Sequence, residues 1–152
     1  VDLPSPCSNA EYEAIMRGVC ERAAAEGISA MAFGDLFLQD IREYREAQLR
    51  GSGLEALFPL WGLPTADLAA EMIRSGVKAR VTCVDLRQLD RGFAGREFDA
   101  AFLAGLPPTV DPCGENGEFH TFVYDAPVFS SAVEVRSGAI VERDGFVFAD
   151  VT

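Results

Sequence analysis

The sequence lacks several things, and each absence narrows what the chain can be. It has no uninterrupted apolar run of about 18 to 20 residues, which excludes an ordinary membrane-spanning helix. Its opening residues, VDLPSPCSNAEYE, are too polar and too proline-punctuated for a secretory signal. A soluble, cytoplasmic chain with no membrane partner is expected. Positive charge is scarce, with 13 Lys and Arg against 24 Asp and Glu and a formal net charge of -11. Binding along a nucleic-acid backbone draws on clustered cations that displace counterions, so no general DNA or RNA partner is expected. A single nucleotide can still be held locally, by backbone N–H groups and one or two cations. Histidine occurs once, at His120, and the cysteines Cys7, Cys20, Cys83 and Cys113 form no C-x-x-C pair. That leaves no local zinc signature and no metal site to predict from protein ligands alone. With 152 residues and 49% hydrophobic content the chain has core enough without disulfides, and reduced thiols are expected.

What is present alternates. SNAEYEAIMRGVCERAAAEG reads as a helix with Ser8 and Glu11 as a capping box and Gly27 as its stop. A short strand, ISAMAFGD, follows, then a helix from about Leu38 to Arg50, and a second apolar strand, LEALFPLWG. TADLAAEMIRSG predicts a helix with Thr65 as N-cap, and KARVTCVDL a third strand. Strand, helix, strand, helix, strand at this spacing predicts parallel crossover units with helices packed on the sheet. In such sheets ligands bind beyond the carboxyl ends of the strands, where FGD and PLWG fall. After about Leu86 the texture changes to a short helix, GREFDAAFLAGLP, then a glycine-rich loop and a Val- and Phe-rich tail. Turns are expected there at Asp125–Pro127, Ser137–Gly138 and Asp144–Gly145, giving an antiparallel meander.

Three stretches, GDLFLQDIREYRE followed by LFPLWG, then FAGREFD, then DPCGENGEFHTFVYDAPVF, together resemble the diphthine ammonia ligase family, ATP-binding proteins of the adenine nucleotide alpha hydrolase type. The resemblance implies an α/β fold: a partial Rossmann-like parallel sheet with helices, followed by a smaller mixed α+β region with antiparallel strands. It implies residues 1–86 as the C-terminal part of a nucleotide-binding domain and 87–152 as a family-specific substrate-binding region. It further implies ATP-dependent amide formation, by adenylation of a carboxylate and attack by ammonia, with ATP and Mg2+ as cofactors of the complete protein. The partners are then a small-molecule or protein-borne carboxylate and ammonia or another amine, with a homodimer left open. The family's phosphate-gripping Ser-Gly-Gly-Lys-Asp-Ser run occurs nowhere in these residues. The chain is therefore expected to be a fragment, inactive alone. Asn116 and His120 stand where the family more commonly has Gly and Glu.

The resemblance implies Glu115 and Glu118 as catalytic, Gly117 and Thr121 at the substrate, and Gly34, Arg42 and Trp61 at the nucleotide; from their own positions His120 is added as a catalytic candidate, Asn116 at the substrate and Asp35 at the nucleotide. The residues themselves leave alternatives. Glu115 and Glu118 suit Mg2+ or a cationic substrate group, or an acidic solvated turn. His120 suits a general base or a hydrogen-bonded structural role. Asp35 could touch ribose or magnesium or cap the next helix, with Arg42 or Arg45 offsetting phosphate charge, and Trp61 could stack on adenine or close the core. Cys113 has one histidine in the whole chain to activate it and reads as a structural thiol. The other functions the sequence allows are a non-catalytic nucleotide-binding module and a relative acting on another small molecule.

Overall fold

The computed structural model describes residues 1–152. The chain forms two compact units, Val1–Gly62 and Leu63–Thr152.

In the first unit, α1 (Asn9–Ala25) begins at the capping box read from the sequence: Ser8 Oγ accepts from Glu11 N–H, and Glu11 reaches back to Ser8 N–H at 2.9 Å. It ends in a paired bond pattern, Ile28 N–H to Ala23 O and Gly27 N–H to Ala24 O, with Gly27 at φ 84°. Only the missing Cβ makes that conformation cheap. β1 (Ala30–Ala32) and β2 (Glu55–Leu57) run parallel, with Met31 beside Ala56. Between them lies α2 (Gln39–Leu49). This is the parallel crossover expected, but each strand is three residues long. Cys20, Leu49 and Leu54 are buried together, with Met31, Phe33 and Ala56 packed against them.

The second unit opens with α3 (Thr65–Arg74), whose N-cap is Pro64 rather than the expected Thr65; Pro64 O takes Leu68 N–H at 3.0 Å. β3 (Lys78–Asp85) was predicted to extend a parallel sheet and does not. It pairs antiparallel with both β4 (Phe119–Asp125) and β6 (Phe146–Val151), in a four-stranded sheet of order β4-β3-β6-β5, with β5 spanning Ser137–Arg143. The architecture is thus mixed α/β, a parallel two-stranded sheet and an antiparallel four-stranded one. The tail strands are antiparallel but do not form the expected meander: β3 and β6 lie between β4 and β5, and only β5 and β6 make a hairpin, with its tight turn at Asp144–Gly145 as expected. Ser137–Gly138, read as a turn, instead starts β5. A Cβ on Gly138 would stand 2.7 Å from Asp150 Cβ, so this glycine serves a close strand-to-strand approach.

One face of this sheet carries the core. Ala79, Val81, Val84, Phe119, Val147 and Ala149 pack with Ala69 of α3 and with Phe102 of α4 (Ala100–Gly105). Phe102 is fully buried and meets the rings of Phe93, Phe98 and Phe119 at 5.1–5.6 Å. Asp99 starts α4, accepting Phe102 N–H at 2.7 Å. No helix is long and apolar enough to cross a membrane.

Candidate functional site

The glycine-rich loop between α4 and β4 is held by two carboxylates. Asp111 Oδ2 accepts the backbone N–H groups of Cys113 (3.1 Å) and Glu115 (3.0 Å), folding the chain around its side chain. Gly114 N–H reaches Asp111 O and Gly117 N–H reaches Gly114 O, so two tight turns follow each other. Gly114 has φ 71°, and a Cβ there would lie 2.8 Å from the carbonyl oxygen of Phe119. That position requires glycine on two independent counts.

Glu118 closes the loop from behind. Its side chain is completely buried. Oε1 accepts Asp111 N–H and Asn116 Nδ2, each at 2.9 Å, and Oε2 accepts Asn116 N–H at 3.0 Å. Burial pushes this carboxyl upward, and the bonds from Asn116 and Asp111 outweigh it, leaving it below the usual glutamate range. The Glu118 carbonyl takes Asp85 N–H at 2.9 Å, tying the loop to the end of β3.

Asp85 is a second buried carboxylate at that strand end. Arg87 grips it with Nε at 2.9 Å from Oδ1 and Nη2 at 2.7 Å from Oδ2, Arg87 N–H adds a bond, and Gln88 Nε2 lies at 3.2 Å. Arg87 holds this carboxyl far below the usual aspartate range.

Among the residues named from sequence, Asn116, Gly117 and Glu118 come together in this loop. Glu115 contributes its N–H to Asp111 and is half-buried. His120 and Thr121 follow on β4, both exposed, paired with Cys83 and Val81 respectively. Their side chains leave opposite faces of the strand, so one small ligand lying on a sheet face meets one of them. Cys113 donates to Thr65 O at 3.4 Å, and burial pushes its thiol up to about 11. A thiol so placed is protonated near neutrality, as its structural reading requires.

In the first unit, Gly34 and Asp35 follow β1 after Phe33. Nothing lies within 4 Å of where a Gly34 Cβ would be, so this strand end is open. Asp35 does not cap α2, whose N-cap is Leu38; it sits 3.7 Å from Arg45 Nε. Arg42 is engaged on three sides, 4.7 Å from the Phe58 ring centroid, 4.8 Å from that of Trp61, and 2.9 Å from Glu46 Oε1. Phe33 stacks on Phe58 at 5.4 Å, and Arg45 lies over Phe33. Trp61 thereby braces a cation within its own unit.

Sequence reasoning missed Asp111 and Asp85. Asp111 opens the run D-P-C-G, and an aspartate before turn residues is a signal for a side-chain-closed turn. Asp85 was missed although its partner Arg87 is only two residues on, because its burial, which makes that pair matter, depends on the sheet.

Comparison with known proteins meets this geometry at the second unit. Residues 64–149 match the family model described as the diphthamide synthase C-terminal domain. The chain is 33% identical over 146 residues to the diphthine–ammonia ligases of Bos taurus and of Homo sapiens, covering 92% of this chain and 53% of each relative. The diphthine–ammonia ligase of Danio rerio is 30% identical over 159 aligned residues, covering 97% of this chain and 60% of that protein. The chain spans about half the length of the mammalian relatives it matches. From the match across the antiparallel unit and the identity carried through both units, the chain belongs to the diphthine–ammonia ligase family, whose diphthamide synthase C-terminal domain it contains.

Proposed function

We propose that this chain serves an ATP-dependent, amide-forming ligase that joins ammonia to a carboxylate, with the first unit on the nucleotide side of the task and the loop of the second on the acceptor side. The observation that carries the acceptor side is the buried Glu118. A carboxylate whose two oxygens already accept three N–H groups is poorly placed to attack or to take a proton. Its role in this reading is positioning: it fixes Asn116 and the backbone of Gly117 at the surface. His120, exposed on the strand that follows, is the group able to hold or accept a proton from the incoming amine. Glu115 and Asn116 are proposed to orient the acceptor beside His120, and Thr121, on the opposite face of β4, takes no part in that contact.

ATP, when bound, supplies the activation that turns the carboxylate into a group ammonia can displace. Gly34 and Asp35 fit a nucleotide, since the open backbone beyond β1 allows close approach. Arg42 and Trp61 support that reading as a braced pair walling the β2 end rather than as two free ligands. Magnesium fits less well. No group of three or more His, Cys, Asp or Glu side chains is arranged to hold a metal ion, and Glu118 is fully buried with both oxygens already accepting N–H groups. No step is therefore routed through Mg2+ on these residues.

Incubation of the protein carrying this chain with ATP, ammonium and a diphthine-bearing acceptor is expected to yield amide, AMP and pyrophosphate. Release of ADP and phosphate would contradict the adenylation route. The commitment of both Glu118 oxygens to N–H groups of its own loop favours a second reading, a nucleotide-binding module without turnover. Calorimetric ATP binding with no AMP formed would select it.

A further inference from the structure

The four-stranded sheet of the second unit has two edges, and they are treated differently. Beside β4, the chain's own returning segment donates Val133 N–H to Tyr124 O at 2.7 Å and covers part of the edge. Beyond β5 no strand follows, and all seven of its residues are exposed. Ile140 and Val141 lie 54% and 51% exposed in the middle of it. There is no proline in β5 and no charge between Ser137 and Val141. Such an edge offers a row of unpaired backbone groups next to apolar side chains, which is a template for another strand.

The hairpin fixes which groups point outward. Asp144 and Gly145 both have positive φ, 55° and 82°, the signature of a two-residue turn that closes on a hydrogen-bonded pair, here Arg143 with Phe146. Alternation then turns the N–H and C=O of Arg143 and Val141 toward β6 and those of Glu142 and Ile140 away from it. A strand docking on this edge must bond to Ile140 and Glu142.

We infer that β5 is a self-pairing edge, and that its occupant is β5 of a second copy of this chain, antiparallel, with Ile140 opposite Ile140. In that register the two Ile140 residues exchange a pair of backbone bonds. Val141 faces Ala139 of the second copy, Glu142 faces Gly138, and Arg143 faces Ser137. Apolar side chains meet apolar ones, and no like charges are opposed. Shifting the register to centre on Val141 would set Ile140 against Glu142, and centring on Glu142 would oppose two carboxylates. Of these registers the one centred on Ile140 brings two large apolar residues together without opposing charge. The irregularity between Ser137 and Ile140 adds twist in the half of each strand that faces residues 141–143 of the other copy, so the pairing is strongest at the central Ile140 pair and weaker on either side of it. Because each copy brings one such edge, the pairing uses it up and closes at two. The inference is independent of the ligase reading.

Two copies each carrying -11 repel, so the contact is salt-dependent. A strand pair of this length buries less than a standard interface, and a weak dimer follows. The test is sedimentation equilibrium of the chain over a concentration series at low and at roughly 0.5 M salt, where screening is nearly complete beyond a few ångströms. The dimer fraction is expected to rise with both. Ile140→Lys is expected to weaken association by roughly tenfold or more, while Val128→Lys, at a site 89% exposed outside β5, leaves it unchanged. Hydrogen exchange read at single amides should show the N–H groups of Ile140 and Glu142 gaining protection as concentration rises. A monomer under all conditions, an I140K variant that dimerises as the parent does, growth beyond two copies, or amides whose protection ignores concentration would each overturn the inference.

Discussion

Glu118 bears a charge where water cannot reach it, and N–H groups of Asp111 and Asn116 compensate it. Glu118→Gln keeps the shape but sets an amide N–H2 against donors. The expected loss is about 1–3 kcal/mol, read from the midpoint of urea unfolding. Because its folded pKa is lowered, its stabilisation is fully present above the unfolded glutamate value and is lost as pH falls through the folded one. Asp85, lowered by Arg87, adds to the same trend at still lower pH. Stability should therefore be flat above about pH 5 and fall below about pH 4, with E118Q showing a shallower decline. The two loop glycines separate backbone strain from crowding. Gly114→Ala meets the Phe119 carbonyl, whereas Gly117→Ala, at φ 80°, meets nothing within 4 Å. Thermal unfolding should show G114A the more damaged of the two, by about 1–3 kcal/mol against about 1. Equal losses would show that the close approach to Phe119 does not matter.

The elements differ in how much of them could be read in advance. α1 was legible down to its cap and stop because Ser8, Glu11 and Gly27 act within a few residues of themselves. The same holds for the turn at Asp144–Gly145. The direction of β3 was not legible. An apolar strand such as VTCV reads alike whether its neighbours run with it or against it, and those neighbours lie more than thirty residues ahead. In the loop, the cluster of polar residues was visible as a candidate site, but which carboxylate faced inward was decided by Asp111 and Asn116 folding around Glu118. Among the elements, α4 is short and depends on its packing. Phe102→Ala removes a ring in contact with three others, and a loss of about 3–5 kcal/mol is expected in denaturant unfolding.

At the scale of the molecule, family membership rests on the match over residues 64–149 and on identity extending through the first unit. The ligase reading adds a direction of atom transfer to it. If His120 handles the amine proton, His120→Gln should lower turnover with little change in acceptor KM, while His120→Ala with full activity would exclude it. The most direct measurement follows an oxygen. An acceptor labelled with 18O in its carboxylate should pass one labelled oxygen into AMP for each amide formed. Amide produced with unlabelled AMP, or with the label in free phosphate, would contradict the account.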